Sequence, residues 1–68
     1  MNQQEKYIDY HRQIIDCKHK LYLTDYKAIK FAEGEITEED YAPIREERRA
    51  WRNQINELEQ KIAELKTI

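Results

Sequence analysis

The chain has 68 residues, with 12 Lys or Arg against 14 Asp or Glu, a formal charge of −2 with neutral histidines. That length allows one domain with a thin core, because a short chain leaves much of its surface wet after folding. A mean hydropathy of −1.07 and the lack of any run near ~18 apolar residues exclude a membrane-spanning helix. One Cys excludes an internal disulfide, and one Gly and one Pro are too few for the turns of a barrel or sandwich. The first residues, Met1-Asn2-Gln3-Gln4-Glu5-Lys6, lack the basic and apolar regions of a secretory signal. Together with the lone Cys17 they lead to the expectation of a cytoplasmic protein in a reducing compartment.

In chain order, the first predicted element is a helix over about residues 3–22. Tyr7, Ile8, His11, Ile14, Ile15, Lys18, Leu21 and Tyr22 recur at the i, i+3, i+4, i+7 spacing of one buried stripe. Lys18 can lay its methylenes on apolar surface and keep its ammonium wet. Asp16 and Lys20 form a favourable i,i+4 pair on the outside.

A boundary is predicted at Thr24 or Asp25, either of which can accept from the free amides of a new helix start. A short helix over about 25–33 then carries Tyr26, Ile29 and Phe31, and Gly34 takes the left-handed position at its C-terminus. Thr37, with Asp40 three residues on, resembles a capping box, and Ile36 and Tyr41 fit the hydrophobic staple beside it. Glu38, Glu39 and Asp40 sit at the positive end of the helix dipole. Pro43 lacks an amide proton and biases Ala42 away from helix, so the favoured reading is a capped turn over about 37–41 and a restart near Pro43. A kinked continuous helix is the alternative.

From Pro43 to about Lys66, Ile44, Arg48, Trp51, Ile55, Leu58, Ile62 and Leu65 are spaced 4, 3, 4, 3, 4, 3, a heptad seam with one polar member. At ~1.5 Å per residue this helix is roughly 36 Å long, and the first roughly 28 Å, so part of the seam is expected to need another cover. The expected fold is all-α: an antiparallel helical hairpin with a short intervening helix and a long coiled-coil-like C-terminal helix, forming one domain over 1–68. The expected core is Ile8, Ile14, Ile15, Leu21, Ile29, Ile44, Trp51, Ile55, Leu58 and Ile62.

Four residue sets bear on function. Arg45, Arg48, Arg49 and Arg52 fall within roughly a 100° arc of the long helix, and like charges at i,i+4 repel by roughly 0.2–0.5 kcal/mol per pair. The cluster therefore wants anions. One source is nucleic-acid phosphate, with Trp51 as a stacking platform, which would make the chain a small nucleic-acid-binding regulator. The nearer source is the chain's own carboxylates: Glu33, Glu35, Glu38, Glu39 and Asp40 are five acids within eight residues. The second reading is favoured, since Trp51 belongs to the seam, and a nucleic-acid partner is not expected. The aromatics Tyr7, Tyr10, Tyr22, Tyr26, Tyr41, Phe31 and Trp51 suit either a thin core or a protein interface.

His11, Cys17 and His19 do not make a metal site by spacing, because a helix points Cys17 and His19 to nearly opposite sides. Acids are plentiful, but no predicted element forms a pocket, so no catalytic residue, cofactor or small-molecule substrate is expected. The heptad seam can pack within the chain, on a second copy, or on both. The expected interaction residues are Tyr7, Tyr22, Tyr26, Arg48, Trp51, Arg52, Ile55, Leu58, Ile62 and Leu65. A chain this small gains stability from association, so the expected partner is a protein, including itself as a homodimer, and no membrane.

The run Leu21-Tyr22-Leu23-Thr24-Asp25-Tyr26-Lys27-Ala28-Ile29-Lys30, then Glu33-Gly34, Tyr41, Arg45, Arg48, Trp51-Arg52 and Ile55-Asn56, resembles a segment of small phage and prophage proteins. These are often tail-associated or lie at the C-terminus of tail proteins, and read L-x-x-T-D-Y-x-x-I-K, an acidic linker, then R-x-x-W-R-x-x-I-N. The resemblance covers about residues 21–58. It implies a non-enzymatic protein connected with tail structure or assembly, acting by protein contact and incorporated in a phage particle where it assembles. No catalytic residues carry over.

Overall fold

Asn2 opens the first helix by accepting from the Glu5 amide through Oδ1 at 2.8 Å, while the Glu5 carboxylate accepts from the Asn2 amide at 3.4 Å. This capping box satisfies two of the free donors at a helix start. In the computed structural model, which describes residues 2–66, α1 then runs from Gln3 to Ala32 and α2 from Glu38 to Lys66. They form an antiparallel helical hairpin, an all-α fold, 48 Å long and 15 Å in its other two dimensions.

The break predicted at Thr24 and the separate helix over 25–33 are absent: α1 is one helix of 30 residues. No Gly or Pro interrupts residues 3–32, so nothing in the backbone opposes continuation. Thr24 does not cap. Its hydroxyl lies within 3.1 Å of the Lys20 and Leu21 carbonyls, the back-bonding geometry of a helical threonine. The expectation that the long helix outruns its partner falls with that break, since α1 and α2 have 30 and 29 residues.

The turn between the helices follows the sequence closely. Gly34 has φ of 80°, its amide donates to Phe31 O at 3.0 Å, and the Glu35 amide donates to Lys30 O at 2.8 Å. This is a Schellman closure, in which a left-handed residue lets the chain reverse onto the last free carbonyls. Thr37 caps α2, its Oγ1 accepting from the Asp40 amide at 3.1 Å and its carbonyl from Tyr41 at 3.0 Å. The helix passes through Pro43 without a restart, so the favoured restart is overturned in favour of one continuous α2. Pro43 lies in the second turn, where it forgoes the bond it would give to the Glu39 carbonyl.

The core is a narrow seam. Ile14, Cys17, Ile55 and Leu58 form the buried cluster, with Tyr10, Leu21, Trp51 and Ile62 packed against it. Tyr41 is also buried, and its ring stacks on Phe31 with centroids 4.6 Å apart near the turn. At the open end, Gln3 Nε2 donates to Leu65 O at 3.3 Å. The α1 side of the seam is Tyr10, Ile14, Cys17, Leu21, Thr24, Ala28 and Phe31, all buried or half-buried and spaced 4, 3, 4, 3, 4, 3. That matches the spacing on α2, so the pair packs as an antiparallel coiled coil.

Three members of the expected core are therefore corrected. Ile8, Ile15 and Ile29 are exposed on α1, Ile15 by 55% against 5% for its neighbour Ile14. Adjacent residues on a helix point about 100° apart, so only one of each pair can face α2. The expected α2 members keep their places: Ile55 and Leu58 are buried and Ile44, Trp51 and Ile62 half-buried.

Candidate interaction surfaces

Arg48 is the polar member of the α2 seam and is only 6% exposed. Burying a guanidinium is tolerable where each donor finds an acceptor. Here Nη1 donates to Leu21 O at 2.8 Å and to Thr24 Oγ1 at 2.6 Å, and Nη2 to Asp25 Oδ1 at 2.9 Å. These acceptors come from one turn of α1, so the residues read as a helix boundary are the docking station for Arg48. Arg48 is thus a clamp inside the hairpin and does not belong to an outer interface.

The other arginines divide. Arg45 forms a two-pronged pair with Glu38, the first residue of α2 two turns before it, Nη2 lying 2.8 Å from Oε2. Its guanidinium also lies 5.2 Å from the ring centres of both Phe31 and Tyr41, within cation–π range. The hydrogen bonds from Arg45 hold the Glu38 carboxyl below its ordinary pKa, and the same bonds raise that of Arg45. Arg49 pairs with Glu46 at 3.2 Å. Arg52 is exposed, without a carboxylate paired to it among the described residues. The expectation of carboxylate pairing within the chain is met for three of four arginines, although Asp25 and Glu46 lie outside the acidic run thought to supply it.

The predicted interface residues separate in the same way. Trp51, Ile55, Leu58, Ile62 and Leu65 are buried or half-buried along the seam. Ile55 and Leu58 are occupied by α1, while Trp51, Ile62 and Leu65 keep an exposed edge. Tyr7, Tyr22 and Tyr26 stay exposed. Cys17 faces the seam at 2% exposure, whereas His11 and His19 are on the exposed surface, His11 stacked on Tyr7 with centroids 5.9 Å apart. These three residues do not converge.

Sequence reasoning missed the outer face of α1 as a separate feature. Ile8, Ile15, Tyr22, Leu23, Tyr26 and Ile29 are large hydrophobic residues left between 49% and 72% exposed, whereas Tyr7, at 42%, continues the inner spacing three residues before Tyr10. Ile8, Ile15, Tyr22 and Ile29 stand seven residues apart, one ridge along the helix. Tyr22, Leu23, Asp25, Tyr26 and Ile29 line an open hollow toward the turn, and Tyr26 also borders a smaller one with Ile36 and Ile44. The signal was available: one helix carried two sets of apolar residues, and a single stripe cannot hold both. No family model, curated protein or solved structure matches this chain.

Proposed function

We propose that this chain is a non-enzymatic interaction protein of the prophage tail-associated kind, and that its working surface is the outer face of α1. The observation that carries the proposal is the set of six large hydrophobic side chains, Ile8, Ile15, Tyr22, Leu23, Tyr26 and Ile29, left exposed on a helix whose other face closes the fold. Six side chains of these types left about half exposed present roughly 600 Å² per chain, and Tyr22, Leu23, Tyr26 and Ile29 come together around one hollow. Tyrosines favour such a surface, since each carries a large rigid ring and a hydroxyl content in water. The tail association itself rests on the resemblance of residues 21–58, of which Tyr22, Leu23, Tyr26 and Ile29 lie on the exposed face.

The test is sedimentation of phage particles from induced cells that carry the gene with a tagged copy of the chain. The tag is expected in the particle fraction. The triple variant Tyr22→Ser, Tyr26→Ser, Ile29→Ser should be lost from that fraction at equal expression. Recovery of the wild-type chain only as free protein contradicts the proposal.

A further inference from the structure

We propose that the outer face of α1 binds a second copy of this chain in antiparallel orientation, the two α1 helices back to back and each α2 on the far side. This rests on the reading that the face is a contact surface, and it names the occupant.

The ridge is self-complementary. Ile8, Ile15, Tyr22 and Ile29 repeat every seven residues, so reversing the helix about its middle lays Ile8 beside Ile29 and Ile15 beside Tyr22. Both pairs are centred midway between Lys18 and His19.

Charge sets the direction. On the flank of the ridge Glu5 lies near one end of α1 and Lys30 near the other, both exposed. An antiparallel mate brings Glu5 of one copy to Lys30 of the other, a pair centred within one residue of the same point. A parallel mate in register would set Lys30 against Lys30 and Glu5 against Glu5, and would align the helix dipoles unfavourably.

The seven-residue period points the same way. The inner seam of α1 repeats at 4, 3 spacing, and the outer ridge repeats at seven. Both call for the same left-handed supercoil, so one gently coiled helix can satisfy α2 and a mate together. The area also suits a dimer: roughly 600 Å² from each copy gives about 1,200 Å², the lower edge of specific interfaces. The dimer is therefore reversible with dilution.

Sedimentation equilibrium on the full purified chain tests the proposal. At ~200 µM the mass should be that of two chains, falling toward one on dilution. Ile15→Asp with Tyr22→Asp should give one-chain mass at every concentration, with helical circular dichroism unchanged because both side chains are exposed. Orientation is read from cysteine pairing in a Cys17→Ala background: Lys18→Cys, beside the two-fold axis, should form a disulfide-linked dimer, and Gln4→Cys should not. A one-chain mass at ~1 mM overturns the dimer, and cross-linking through Gln4→Cys, with or without Lys18→Cys, overturns the antiparallel arrangement. Neither result touches the particle assay, so a wild-type chain that is monomeric yet sediments with particles leaves the interaction reading standing with another occupant.

Discussion

Arg48 decides which face of α1 turns inward. Its guanidinium needs acceptors, and the Leu21 carbonyl, the Thr24 hydroxyl and the Asp25 carboxylate supply them from one turn. Rotating α1 to bury Ile8, Ile15 and Ile29 would take these acceptors away and leave a desolvated charge. Arg48→Ala should cost about 2–4 kcal/mol in chemical denaturation, combining lost bonds with a cavity. Arg48→Lys should recover little, since an ammonium lacks the planar fork that reaches three acceptors. Equal stability of Arg48→Ala and wild type would contradict the clamp. Glu38 offers a pH test at the same scale. A carboxylate held below its ordinary pKa contributes stability that is present above that ordinary value and is lost as pH falls through the lowered one. The difference in Tm between wild type and Glu38→Gln should therefore shrink between about pH 5 and pH 3, and added salt should shrink it further. A difference that grows on acidification would contradict the pairing with Arg45.

At the scale of elements, the turn rests on one backbone conformation. Gly34 is at φ of 80° and a Cβ there would meet nothing within 4 Å, so the cost of a side chain is conformational alone. Gly34→Ala should lose about 1 kcal/mol, and Gly34→Asn should lose less, because asparagine tolerates the left-handed region better. Pro43 works in the opposite sense. It sits inside α2 without ending it, so Pro43→Ala restores a donor toward Glu39 and should stabilise the hairpin by about 1–3 kcal/mol. A loss of stability on that substitution would mean that ring packing outweighs the missing bond. The α2 seam, the Gly34 closure and the Thr37 cap were legible in the sequence, because each depends on neighbours a few residues away. The continuity of α1 was not, because Thr24 and Asp25 are good cap residues in isolation. What overrides that preference is an arginine 23 or 24 residues further on. The inner stripe of α1 was obscured for a related reason: Cys17, Thr24 and Ala28 are small or polar, and the more apolar Ile8, Ile15 and Ile29 compete with them in any count.

At the scale of the whole molecule, two helices in contact along their length give a rod. The Cα radius of gyration is 15.4 Å, against about 11 Å for a compact domain of this length. A rod exposes one complete helix face per element, and in this chain the outer face of α1 carries an apolar ridge while the arginines of α2 are largely paired. Duplex DNA should therefore show no gel shift at low salt. A shift that weakens steeply with salt and disappears in Arg45→Gln, Arg49→Gln, Arg52→Gln would contradict this and restore the phosphate reading. The central claim is that one helix carries two stripes with separate work, the inner one holding the fold and the outer one left for a partner. Thermal melts of Ile14→Asp and Ile15→Asp at ~5 µM test it most directly, because the two positions are neighbours and differ only in which stripe they join. Ile14→Asp places a carboxylate in the seam and should lose about 3 kcal/mol or more, lowering Tm by roughly 12 °C or beyond. Ile15→Asp should stay within about 4 °C of wild type. A collapse of Ile15→Asp comparable to that of Ile14→Asp would contradict the account.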